Sequence, residues 1–134
     1  SMVAALKTLG QFARLGQGRR IAVLGDMKEL GGQGNALHKS LVEHIVNTDV
    51  DMVFTVGAQM KLLQDGLPGG RRGAHATSVD GLISLLKREV HAGDAVMVKG
   101  SNSMRLSELV KCLVDLDVEE GFGAPIVQNE RGMS

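Results

Sequence analysis

The amino-acid sequence predicts an α/β fold, a Rossmann-like three-layer sandwich in which a mostly parallel sheet is flanked by helices. Three observations carry this expectation. Short apolar runs of strand length (IAVL, DMVFTV, AVMV) each end at a glycine or a polar loop. Between them lie longer segments whose apolar residues recur at helical spacing. Alternating strands and helices imply right-handed crossovers and hence parallel strands, and eighteen glycines suit the tight turns between them.

The elements follow in order. Val3, Leu6, Leu9 and Phe12 sit near helical spacing, so residues 1–15 read as a starting helix, broken by Gly16 and Gly18. Arg19–Leu24 is the first strand, ended by Gly25. Asn35–Val46 is a helix with Leu37, Leu41, Ile45 and Val46 on one face and Asn35 as a possible cap. Asp51–Val56 is a second strand, closed by Gly57 and followed by a short helix near Gln59–Gln64. The run GLPGGRRG at 66–73 reads as a loop without regular structure. Ala74–Thr77 suggests a short third strand, Val79–Val90 a helix, Ala95–Val98 a further strand and Arg105 to about Leu116 a last helix. Residues 1–118 are expected to form one domain. Residues 119–134 show little periodicity and read as a poorly structured tail.

Composition narrows the function. Fifteen basic and fifteen acidic residues cancel, so no strong field favours nucleic acid or an anionic membrane. Three Phe with no Tyr or Trp leave no stacking platform for single-stranded bases. No apolar run is long enough to span a bilayer, and no signal-peptide pattern is visible. The single cysteine, Cys112, excludes an internal disulfide and fits a reducing compartment, the cytoplasm.

Two loops concentrate the chemistry: GDMKELG at 25–31 and KGSNSMR at 99–105, each directly after an apolar strand. Open α/β sheets bind ligands at the carboxyl ends of their strands. Asp26 could accept hydrogen bonds from sugar hydroxyls or pair with a basic group, and equally could cap a turn or helix. Glu29 reads more simply as a helix-start charge. Lys99, Gly100, Ser101, Asn102, Ser103 and Arg105 form the denser cluster. A cation, a glycine that permits close backbone approach and hydroxyls beside a helix start would suit a carboxylate or phosphate. Helix capping by Ser103 with a solvated Arg105 would explain part of the same pattern. His38 reads as a packed histidine, and His44, His75 and His91 lack metal-ligand spacing.

The sequence has no phosphate-cradling G-x-x-x-x-G-K-[ST], no G-x-G-x-x-G after the first strand and no G-x-S-x-G elbow. Taken alone, these residues leave open a receiver-like signalling domain or a stand-alone module for small anions. The first would need acids at several strand ends, and the second strand ends in TVGAQ.

IAVLGDMKELG followed by ALH, then DMVFTVG, then GDAVMVKGSNSMRL, in this order, resemble the carboxyl-terminal domain of the Mur ligases over about residues 1–116. These are ATP-dependent amide ligases of peptidoglycan precursor synthesis, and the loop sequences look most like the branch that adds a dipeptide. The resemblance implies a three-domain enzyme whose N-terminal domain holds the UDP-sugar and whose central domain carries the P-loop and metal sites. The third domain would close over the substrates, D-alanyl-D-alanine and UDP-N-acetylmuramoyl-tripeptide. ATP and Mg2+ would serve the complete enzyme, with neither bound by this chain alone and no catalytic residue within it. On the same ground Asp26 would lie on the ATP side. Lys99, Gly100, Ser101 and Ser103 would lie toward the dipeptide and peptide carboxylate, with Arg105 beside them, although exposure on a helix surface explains Arg105 nearly as well. The missing first two domains make the chain read as an excised domain or fragment.

Overall fold

The computed structural model describes residues 2–13, 16–27, 34–101, 105–120 and 126–128. Helix α1 (Met2–Gly10) leads into strand β1 (Arg20–Gly25), then α2 (Gly34–Val46), β2 (Met52–Val56) and α3 (Ala58–Gly66). A 3-10 turn at Gly69–Arg71 precedes β3 (Arg72–Ala76), α4 (Val79–Glu89), β4 (Ala95–Lys99), α5 (Leu106–Glu120) and β5 (Ile126–Gln128). The sheet order is β3-β2-β1-β4-β5, with every neighbouring pair parallel. The α/β three-layer expectation holds.

Strand alternation sends side chains to opposite faces and so builds two cores. Ala22, Leu24, Val53 and Met97 pack with Leu6, Leu9, Leu41, Ile45, Met60 and Leu63 of α1, α2 and α3. Ile21, Val23, Phe54, Val56, Val96 and Val98 pack with Leu82 and Leu86 of α4 and Leu106, Leu109 and Leu113 of α5. Strands buried on both faces read as continuous apolar runs, which is why they were visible in the sequence.

Two sequence expectations are corrected. The 66–73 run is not a structureless loop: it holds a 3-10 turn and the start of β3. Its arginines explain the difference. Arg71 donates through Nη1 to the carbonyls of Ile45 (2.6 Å) and Val50 (2.9 Å) and through Nη2 to that of Val46 (3.3 Å), closing the carboxyl end of α2. Arg72 does the same for α3, donating to the carbonyls of Leu67 (2.8 Å) and Asp65 (2.9 Å). Helix ends leave carbonyls unpaired and carry partial negative charge, so guanidinium groups fit there. The tail from 119 is also not wholly irregular. α5 continues to Glu120, and Ile126–Gln128 adds a parallel strand along β4. Three residues are too few to show a period, so that strand had no sequence signature.

The amino ends of β1 and β4 are tied by a buried carboxylate. Asp94 accepts from the Arg19 backbone N–H (2.8 Å), the His91 N–H (2.9 Å) and the Arg19 guanidinium (3.0 Å). Burial alone would raise the Asp94 carboxyl, but the Arg19 side chain and the two N–H groups outweigh it and hold it below the usual aspartate range.

Two predictions follow from these clamps. Arg71→Ala removes charge-assisted bonds to several carbonyls and is expected to lower unfolding free energy by about 1.5–3 kcal/mol. Urea unfolding measures it, and a loss within experimental scatter contradicts the capping role. For Asp94 the folded pKa lies below the unfolded one, near 3.9. Its contribution is therefore complete above that value and is lost as pH falls through the folded pKa. The stability difference between the unmodified chain and Asp94→Asn should be constant at neutral pH and shrink below about pH 4. A difference that persists unchanged into acid contradicts the assignment.

Candidate functional site

The sheet's connections reverse direction at β1, with β2 on one side and β4 on the other. A crevice opens at the carboxyl ends of such a strand pair. The turns after β1, β4 and β2 meet there.

Asp26 is the first residue after β1 and is half-buried. Its carboxylate accepts the backbone N–H of Met60 at 2.9 Å and of Gln59 at 3.2 Å, capping α3 from a neighbouring strand. Its main-chain carbonyl accepts the Ser101 N–H at 3.0 Å. The capping reading of Asp26 is met: from the end of β1 it caps α3. Each carboxylate oxygen holds one N–H and keeps a further lone pair for another donor.

Lys99 closes β4, opposite Leu24 of β1. By alternation it shares the face of Ala95 and Met97, on the α1–α3 side. It is 1% exposed, and burial pushes its ammonium below the ordinary lysine range. The point charge expected in a loop is thus a buried group at the end of β4. Gly100 is explained by packing. A Cβ there would lie 2.5 Å from Leu106 Cδ1 and 3.1 Å from Gly25 Cα, so glycine lets the β1 and β4 turns touch. Among the described residues, the close approach it permits is to Gly25.

Ser101 is buried beside Asp26. Ser103, with Asn102, lies outside the described residues, as does Glu29; the side chain of His38 also lies outside the description. Arg105 immediately precedes α5, exposed, with its guanidinium on Glu108 one turn on and its pKa raised by that carboxylate. Its backbone is left-handed (φ 56°), the one such non-glycine residue among those described. The structure therefore joins Ser101 to Asp26 directly and Gly100 to the neighbouring Gly25, buries Lys99 at the end of β4, and leaves Arg105 exposed before α5.

Sequence reasoning passed over the β2–α3 turn. Thr55 Oγ1 bonds His75 Nδ1 at 2.8 Å, and burial, then the charge of Lys61, lowers the His75 pKa against the pull of Asp26 and Asp65. TVGAQ follows the same strand–glycine–helix pattern as the other two turns, and that pattern was the signal available.

Residues 1–102 match the family described as Mur ligase, glutamate ligase domain. Relatives named UDP-N-acetylmuramoyl-tripeptide--D-alanyl-D-alanine ligase include that of Bacillus subtilis, 33% identical over 118 residues, covering 86% of this chain and 25% of that protein. The Escherichia coli protein of the same name is 32% identical over 113 residues, covering 84% of this chain and 24% of that protein. The crystal structure of MurF from Acinetobacter baumannii superposes with a TM-score of 0.67 at 24% identity, over 85% of this chain and 24% of that one, and so shares the fold. The chain spans about a quarter of the length of these relatives. The chain belongs to the Mur ligase family, in the part described as its glutamate ligase domain.

Proposed function

We propose that this chain is the closing C-terminal domain of an ATP-dependent ligase that joins D-alanyl-D-alanine to UDP-N-acetylmuramoyl-tripeptide in the cytoplasm. In this reading the domain covers residues 1–118, and α5 and the edge strand Ile126–Gln128 extend beyond that bound. The bond from the Ser101 N–H to the Asp26 carbonyl carries the proposal, because it sets the two loops side by side at the carboxyl ends of β1 and β4.

In this reading Asp26 faces the nucleotide and Lys99, Gly100, Ser101, Ser103 and Arg105 face the dipeptide and the peptide carboxylate. The reaction activates the peptide carboxylate as an acyl phosphate, which the dipeptide amine then attacks. Water would hydrolyse that intermediate, so a domain that closes over it excludes water and aligns the amine. A buried ammonium is costly to keep, and such costs are retained where charge is used. Among the described residues no three His, Cys, Asp or Glu side chains converge on a metal position. The Mg2+ of this reaction is assigned to the central domain, and the residues of this chain are assigned no step through it. Phosphoryl transfer is assigned to the central domain, so this chain alone should show no turnover with complete substrates.

Kinetics of the full-length ligase carrying this domain test the assignment. Asp26→Ala should raise KM for ATP or lower kcat by about ten-fold or more, the loss of one charge-assisted hydrogen bond. Because Asp26 also caps α3, the same variant should lose about 1–2 kcal/mol of stability. Lys99→Ala and Ser101→Ala should impair use of D-alanyl-D-alanine more than use of ATP. Lower melting points with every kinetic constant unchanged would reduce both loops to structural roles and overturn the proposal.

A further inference from the structure

We propose that Gly57 is a positioning residue that holds the Asp26 carboxylate in one orientation at the crevice. The inference rests on the reading of Asp26 as the residue that faces the nucleotide, and goes beyond it by naming what sets its geometry.

Three observations converge on this glycine. It lies between β2 and α3 with φ 105° and ψ 157°, a backbone region that is essentially closed to residues with a Cβ. A Cβ at that position would lie 2.4 Å from Asp26 Cγ, 2.5 Å from Oδ1 and 2.6 Å from Oδ2. The N–H donors two and three residues further on, Gln59 and Met60, are the ones that hold those oxygens. The bare Cα of Gly57 therefore forms the seat on which the carboxylate rests, and the start of α3 supplies the bonds that fix it there. A side chain at 57 would push the carboxylate off both donors. The carboxylate would then have to be ordered by the incoming ligand, at the expense of binding.

This seat is distinct from an ordinary helix-start glycine. Gly57 touches a side chain from another strand, and that strand also carries the link to Ser101. The position of Asp26 is thus set from the β2 side by Gly57 and α3 and from the β4 side by Ser101. Gly57 acts through Asp26 and is assigned no contact with substrate.

A double-mutant cycle in the full-length ligase carrying this domain separates this role from a merely structural one. Gly57→Ala, Asp26→Ala and the double variant are compared by KM and kcat for ATP and for D-alanyl-D-alanine, with thermal melts alongside. Gly57→Ala should raise KM for ATP by about ten-fold, comparable to loss of one charge-assisted bond, and leave KM for the dipeptide near its original value. Placed on Asp26→Ala, it should add no further loss in ATP kinetics, because the carboxylate it displaces is gone. Additive losses in the cycle, or equal losses for both substrates, overturn the inference. If Gly57→Ala alone fails to fold, folding of the double variant identifies the carboxylate clash as the obstacle and supports the seat. Failure of both variants assigns the glycine to backbone conformation only and overturns it. Should Asp26→Ala leave ATP kinetics unchanged, the nucleotide reading itself falls, and that outcome is recognised from the single variant alone.

Discussion

The carbonyl of Asp26 accepts the Ser101 N–H while its carboxylate accepts two N–H groups at the start of α3. One residue thereby ties together the turns that follow β1, β4 and β2. Those turns would otherwise be separate loops, each free to fluctuate at the edge of the sheet. Two glycines make the junction sterically possible: Gly100 by letting the β4 turn touch Gly25, and Gly57 by leaving space for the carboxylate. Placement of Lys99 and Ser101 depends on the same contacts, since Lys99 is the last residue of β4 and Ser101 supplies the linking N–H.

The two ends of the sheet are built differently. At the amino end, Asp94 is buried and surrounded by the Arg19 guanidinium and two backbone donors, and backbone bonds from Ala95 to Arg19 and from Asp51 to Arg20 extend the clamp. That end is a fastening. At the carboxyl end, Asp26 is only half-buried and keeps acceptor capacity beyond its two capping bonds. Fastening at one end leaves the other to hold a half-buried Asp26 beside the buried Lys99 and Ser101. The division matches the general placement of ligands at strand carboxyl ends in open α/β sheets.

Much of the fold was legible because parallel strands covered on both faces are continuous apolar runs, and IAVL and AVMV are such runs. The helices showed themselves by period, as with Leu82 and Leu86 in α4. What escaped depends on partners distant in sequence. Nothing around Arg71 indicates that its guanidinium reaches carbonyls more than twenty residues earlier, so GLPGGRRG read as a plain loop. The strand at Ile126–Gln128 is specified by the free edge of β4 and not by its own three residues. At the site, the strand-end position of Asp26 was readable, whereas its capping of α3 was not, because the donors lie thirty-three and thirty-four residues away. Lys99 ends an apolar run, and its burial follows from alternation only once the covered face is known.

On the proposed function, the Asp26 junction sets a nucleotide-facing carboxylate beside a dipeptide-facing loop. A crystal structure of the full-length ligase carrying this domain, with a non-hydrolysable ATP analogue and D-alanyl-D-alanine bound, tests it directly. The account predicts an Asp26 oxygen within hydrogen-bond distance of the nucleotide while both α3 capping bonds remain, with the Lys99–Ser101 turn on the dipeptide side. A closed complex in which Asp26 touches only α3, and both ligands lie away from the β1 and β4 turns, would contradict it.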